Sequence, residues 1–236
     1  MLSARRSAGR SSPASALDRY DRRVTRTLSI ETPKGPVTGA LDGPEGGVVV
    51  AVAHGAGGDM HGPFLASFAE GIAGAGIGCL RFNFPYKEQG RRAPDHEKHL
   101  RAAWSAVFEA ARGLGGPVWV GGKSLGGRIA SMQVADGMPA AGLVFLGYPL
   151  HPPGKPERLR DEHLGAIGVP MLFLQGTRDP FATRDLLEVV VARTGATLHA
   201  VEGGDHSFRV RGEPKDDEGT GRRLAEIAAA FIRERG

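Results

Sequence analysis

Short apolar runs alternate with longer segments whose apolar residues recur every three or four positions. The runs at 48–53, 77–82, 118–120, 141–146, 170–175 and 196–201 read as strands. That at 48–53 is apolar throughout, which marks a strand buried on both faces. Between them lie helical patterns. Phe64, Leu65, Phe68 and Ile72 share a face within 64–75, and Leu100, Trp104, Val107, Phe108 and Ala111 form a stripe within 95–114. Leu186, Leu187, Val190 and Val191 face inward within 183–194, and further helices fit 127–135 and 221–234. Ahead of the alternation, 24–31 and 37–41 read as an antiparallel hairpin at a sheet edge, joined by the turn-rich Thr32-Pro33-Lys34-Gly35-Pro36.

Strand–helix alternation of this kind predicts an α/β fold: a mostly parallel central sheet with helices on both faces. The loops that leave the carboxyl ends of such strands converge on one edge, where ligands bind. Four of these loops carry chemically useful side chains: His54 after the first buried strand, Ser124, Asp179 and His206. The segment 150–168 is Pro-rich and charged with room for one helical turn, and residues 147–169 are too few for a large lid domain.

Composition narrows the picture in three ways. At 236 residues with 41% hydrophobic and 24% charged residues, 24–236 has the makings of one globular domain. The net charge of +4 divides into +5 for residues 1–26 and −1 for the rest. The folded body is thus near neutral, and neither nucleic acid nor membrane is an expected partner. Residues 1–23 read as a disordered basic tail, Arg/Ser-rich with a faint likeness to an organellar transit peptide. No apolar run approaches the ~18 residues that span a bilayer. A single cysteine, Cys79, excludes a disulfide framework and points to a reducing compartment, here taken as the cytoplasm.

The chemistry centres on 117–130, Pro-Val-Trp-Val-Gly-Gly-Lys-Ser-Leu-Gly-Gly-Arg-Ile-Ala. A buried strand runs into Gly122-Lys123-Ser124-Leu125-Gly126 and then into a helix. This is the arrangement of a nucleophile elbow, a turn so sharp that only small residues fit two before and two after the serine. Gly122-Lys123-Ser124 also imitates the end of a phosphate-binding loop. That loop needs a glycine at 117, where this chain has proline. With 36 glycines in the chain the pentapeptide alone is weak, so its context must carry the reading.

A serine hydroxyl needs a base to become a nucleophile. His206, in Gly-Gly-Asp-His-Ser-Phe after the last strand, is the candidate base, and Asp179 after the preceding strand is its candidate partner. The order Ser124, Asp179, His206 is that of one known triad arrangement. Asp205 and Asp185 compete as acids, but Asp205 adjoins the base and is expected to point away. The oxyanion donors are expected to be the backbone N–H of Leu125 and one from Ala56 or Gly57. His54 reads as a loop-orienting residue. Met60, Tyr86, Tyr148, Phe181 and Phe208 are the candidate substrate-binding side chains, with Phe84 as a further lining residue, and each of the aromatic ones reads equally well as core. Lys87, Arg91, Arg92 and Arg128 are cations that would suit an anionic acyl group, though solvated surface is the stronger reading for each. The histidines show no metal-ligand spacing, and Met60 interrupts the glycine pattern of a dinucleotide site, so no metal or cofactor is expected.

With these residues in hand, the chain resembles the small α/β-hydrolases grouped around dienelactone hydrolase, and within them members carrying His-Gly-Ala-Gly-Gly-Asp-Met, Gly-Lys-Ser-Leu-Gly-Gly-Arg and Gly-Thr-Arg-Asp-Pro-Phe. Those segments are residues 54–60, 122–128 and 176–181 here, and the likeness spans about 25–234. It implies the α/β-hydrolase fold, the triad and the oxyanion positions already read from the residues. Dienelactone hydrolase itself has cysteine at the elbow where this chain has Ser124, so its substrate is not carried over. The expectation is a serine hydrolase acting on a small-molecule ester or thioester through an acyl-enzyme. The rival expectations are acyl transfer by the same triad, or a hydrolase fold kept as a binding or scaffolding module. The sequence gives no signal of oligomeric state.

Overall fold

The computed structural model describes residues 25–235; the basic tail read from the sequence lies outside the described residues. Strands β1 (Arg26–Ile30) and β2 (Val37–Asp42) form the expected antiparallel hairpin. Then follow β3 (Val49–Ala53), α1 (Pro63–Gly74), β4 (Gly78–Phe82), α2 (Pro85–Glu88), α3 (Glu97–Arg112), β5 (Val118–Lys123) and α4 (Leu125–Ala135). The chain continues through β6 (Gly142–Leu146), a 3-10 turn at Glu162–Ala166, β7 (Met171–Gly176), α5 (Arg184–Thr194), β8 (Thr197–Val201) and α6 (Asp217–Arg233).

The eight strands form one sheet in the order β1-β2-β4-β3-β5-β6-β7-β8, parallel from β4 to β8. Side chains alternate across it as the pleat requires. On β3, Val49, Ala51 and Ala53 join the core beneath α3, α4 and α5, while Val50 and Val52 join the core beneath α1 and α6. The strand order reverses direction at β3, which lies between β4 and β5. A crevice therefore opens between the loop after β3 and the loop after β5, the place where ligands bind in open α/β sheets. No described helix is long and apolar enough to cross a membrane.

Two elements depart from the sequence reading. The stretch after β4 closes into the short α2, which Phe84 enters in extended conformation with Pro85 at the first helical position. Helix α6 begins at Asp217 rather than 221. Asp216 caps it by accepting from the Gly219 N–H at 2.7 Å, and Asp217 and Glu218 suit the positive end of the helix. Gly219 and Gly221 look like breakers in the sequence. Gly221 serves packing: a Cβ there would lie 2.4 Å from the Phe64 carbonyl oxygen of α1.

Candidate active site

Strand β5 delivers Ser124 directly into α4. Ser124 has φ 49° and ψ −113°, a conformation costly for a residue with a Cβ, and its side chain makes no capping hydrogen bond to the helix. The serine is thus the turn itself rather than a helix cap. Sterics explain the two flanking glycines. A Cβ at Gly122 would lie 2.2 Å from the Ala53 carbonyl oxygen, and one at Gly126 would lie 2.4 Å from that same oxygen. Both sides of the turn are pressed against the end of β3.

The hydroxyl has a partner. His206 Nε2 lies 2.9 Å from Ser124 Oγ, and His206 Nδ1 lies 2.7 Å from Asp179 Oδ2. Asp179 is buried, and each of its oxygens has its own work. Oδ1 accepts the Phe181 N–H at 2.8 Å and so closes the turn after β7, leaving Oδ2 for the imidazole. Oδ2 also accepts from Gln175 Nε2 at 2.6 Å, and Gln175 Oε1 accepts the Tyr148 N–H at 2.7 Å. Asp205 points elsewhere, accepting from the N–H groups of Ser207 and Arg209 in its own turn. The two loops meet without side chains between them. A Cβ at Gly176 would lie 2.3 Å from the Gly204 carbonyl oxygen, and the Arg178 N–H donates to that carbonyl at 2.8 Å.

The loop after β3 faces the serine from the other side. A Cβ at Gly55 would lie 3.5 Å from the Ser124 Cβ. His54 is buried, and its ring accepts the Phe84 N–H on Nε2 at 3.1 Å, which places the proton on Nδ1 for donation to the Gly55 carbonyl at 2.7 Å. Burial holds its pKa below the ordinary histidine value and keeps the ring neutral. Tyr86 donates to the next carbonyl, that of Ala56. Among the described residues the N–H groups of Ala56 and Gly57 have no acceptor, and Leu125 N–H is the first of α4 and has none within its helix. These three N–H groups are the candidate oxyanion donors.

A serine–histidine–aspartate line at a strand–turn–helix, with unpartnered backbone N–H groups in the loops after β3 and β5, invites comparison with known hydrolases. Residues 46–233 match the family model described as an alpha/beta hydrolase domain. The chain belongs to that family. Its fold is shared with several solved α/β-hydrolases. An alpha-beta serine hydrolase homologue from Coxiella burnetii matches at TM-score 0.67 with 18% identity, over 88% of this chain and 97% of that one. A serine hydrolase without a lid from Xanthomonas campestris matches at 0.68 and 19%, over 90% and 95%. Dienelactone hydrolase from Anabaena variabilis matches at 0.66 and 18%, over 91% and 99%. Like the second of these, this α/β-hydrolase has no lid domain among its described residues.

The expected substrate-binding side chains need correction. Met60, Tyr86, Tyr148 and Phe208 are all buried, as is Phe84. Tyr148 stacks edge-on with Phe145 and Phe173 and donates to the Arg160 carbonyl at 2.7 Å. Phe208 stacks on Phe64 with centroids 5.5 Å apart. Met60 is held by its backbone, its N–H donating to Asn83 Oδ1 and its carbonyl accepting from Arg81. Only Phe181 is partly exposed, its ring 4.3 Å from that of His206. Of the four cations, Arg91 pairs with Asp95 and Arg128 approaches Glu97, Lys87 is half-buried, and Arg92 is exposed. A cleft of 180 Å³ opens between the loop after β3, α1 and the loop after β8, and none of Ser124, His206 and Phe181 lines it. Gly55, Pro63, Phe64, Leu65, Arg209 and Lys123 are among its walls.

Gln175 escaped the sequence reading. Its signal was there: one polar residue at the end of the apolar run Met-Leu-Phe-Leu, on a strand buried along its length.

Proposed function

We propose that this α/β-hydrolase cleaves a small ester or thioester through an acyl-enzyme, with Ser124 as nucleophile, His206 as general base and Asp179 as its orienting acid. The observation that carries the reading is the hydrogen-bonded line from Ser124 Oγ through His206 to the buried Asp179 carboxylate, at 2.9 and 2.7 Å. His206 Nε2 takes the Ser124 proton as Oγ attacks the carbonyl carbon. Asp179 keeps the other ring nitrogen protonated and stabilises the imidazolium that forms. The oxyanion is held by the N–H groups of Leu125 and of Ala56 or Gly57, each donor worth about 3 kcal/mol in the transition state. His206 then returns the proton to the leaving alcohol or thiol. A water deprotonated by the same ring releases the acid and frees Ser124.

Phe181, beside the base, is the aromatic side chain we assign to the substrate. A cytoplasmic location is supported by the one cysteine, Cys79, buried as a free thiol.

The test is labelling of the purified chain with a fluorophosphonate probe, beside Ser124→Ala and His206→Ala, and a panel of short p-nitrophenyl esters and thioesters. We expect labelling of the native protein alone, and kcat/KM losses of at least ~10³ in both variants. A folded native protein that neither labels nor turns over any member of the panel would overturn the reading in favour of a binding module.

A further inference from the structure

Lys123, the residue before the nucleophile, has no part in the chemistry just described, yet its side chain runs into the middle of the site. Its ammonium donates to the backbone carbonyl of His206 and lies 5.3 Å from the centre of the Phe208 ring. It also fills the space beside Gly147, where an added Cβ would fall 2.9 Å from Nζ. Among the described residues no carboxylate lies within ion-pair distance of it. Asp179 and Asp205 are the acids that act on it from farther away, and burial outweighs them, bringing its pKa down to about 8.

Lys123 is half-buried at the wall of the cleft, and a methionine would fill much the same volume without drawing a charge partly out of water. What lysine adds is the reach to one carbonyl, and that carbonyl belongs to the base. The turn around His206 is otherwise knitted by its neighbours: Gly204 to Val201, Asp205 to Arg209, and Phe208 to Asp205. His206 takes no part in that knitting. Its N–H and C=O make no backbone–backbone hydrogen bond among the described residues, and the Lys123 ammonium is its one main-chain partner.

We propose that Lys123 is a positioning residue for the base: by holding the His206 carbonyl it keeps the imidazole in line with both Ser124 and Asp179. The proposal rests on the triad reading above. The nucleophile and the anchor of its base are consecutive residues at the end of one strand, so any shift of the β5 terminus moves both together. A charge-assisted hydrogen bond suits this task, being shorter and stronger than a neutral one. The apolar ring of Phe208 supports the same ammonium from its π face.

The experiment compares the native chain with Lys123→Met, and with Lys123→Cys before and after alkylation by 2-bromoethylamine, which rebuilds a lysine-like side chain. Burial pushes the Cys79 thiol well above the ordinary cysteine range, so it does not compete for the reagent. Four quantities are read: kcat and KM on the ester panel, the melting temperature, and the low-field proton resonance of His206 Nδ1–H in the ligand-free protein. For Lys123→Met we expect kcat down 10- to 100-fold, KM unchanged, a melting temperature no lower than native, and a broadened or lost low-field resonance. Alkylation of the cysteine variant is expected to restore both kcat and resonance. A methionine variant with native kcat and native resonance overturns the proposal. So does one in which kcat and melting temperature fall together, since the lysine then serves the fold. The resonance needs no substrate. A native protein lacking both the resonance and probe labelling defeats the triad reading itself, whereas a native protein with both and an indifferent methionine variant defeats only the role of Lys123.

Discussion

The Tyr86 hydroxyl donates to the carbonyl oxygen of Ala56 at 2.9 Å. A peptide unit is planar, so fixing that carbonyl fixes the Gly57 N–H on its far side. His54 does the same one peptide earlier, holding the Gly55 carbonyl and with it the Ala56 N–H. Tyr86→Phe should therefore lower kcat by ~10-fold with little change in KM. That is a fraction of the ~10²–10³ lost when an oxyanion donor is removed outright. Steady-state kinetics on the ester panel, with circular dichroism to verify folding, checks this.

Gln175 links the acid to the core by donating to Asp179 Oδ2 while accepting the Tyr148 N–H. Gln175→Leu keeps the volume but strands that buried N–H, at a cost of ~1–3 kcal/mol. Denaturant unfolding should report this loss. The rate of fluorophosphonate labelling should fall with it, because Asp179 is left with one donor fewer to hold it beneath His206.

Substitution of glycine by alanine has opposite signs at two positions. Gly126→Ala would drive a Cβ to 2.4 Å from the Ala53 carbonyl oxygen, a backbone atom that cannot move aside, and should cost ~1–3 kcal/mol or more along with all probe labelling. Gly74→Ala, at the end of α1, meets nothing within 4 Å and should stabilise by ~0.4–1 kcal/mol. Melting temperatures of the two variants give the comparison directly.

His163 supplies a pH dependence. Burial first, and then the nearby Arg128 cation, bring its pKa from 6.5 down to about 4. Between those values the unfolded chain binds a proton that the folded one refuses, so stability is full above pH 6.5 and declines as the pH falls toward 4. The slope is at most ~1.4 kcal/mol per pH unit, and smaller here because the ring is only half-buried. Urea unfolding at pH 7 and pH 5 should show a smaller drop for His163→Gln than for the native chain. A native chain with equal stability at both values would contradict the assignment.

The fold was legible because its central strands are short apolar runs with loops of distinct chemistry at their ends. The placement of Ser124, Asp179 and His206 after β5, β7 and β8 follows from strand order alone. Side-chain direction does not. Tyr86 and Tyr148 follow strand ends in sequence, as a substrate-lining residue would, yet α2 turns the first onto the Ala56 carbonyl of the loop after β3 and the second packs between Phe145 and Phe173. Nothing in a linear pattern distinguishes an aromatic residue above a loop from one below it. Gln175 and Lys123 were hidden for a related reason. Each acts through a partner far along the chain, and only the closed sheet brings Lys123 to the His206 carbonyl.

The contact at Gly176 sets where this scaffold tolerates remodelling. The backbone after β7 lies against the Gly204 and Asp205 carbonyls with no side chain as a spacer, so the alignment of acid and base is gauged by main chain alone. The contact holds position 176 to glycine and holds the loop lengths on either side with it. One residue inserted at 176–179 or 204–206 would put the gauge out of true. The exposed stretch 153–159, in the connection after β6, meets no such close approach at its Gly154, and a grafted cap or a recognition loop is best tried there.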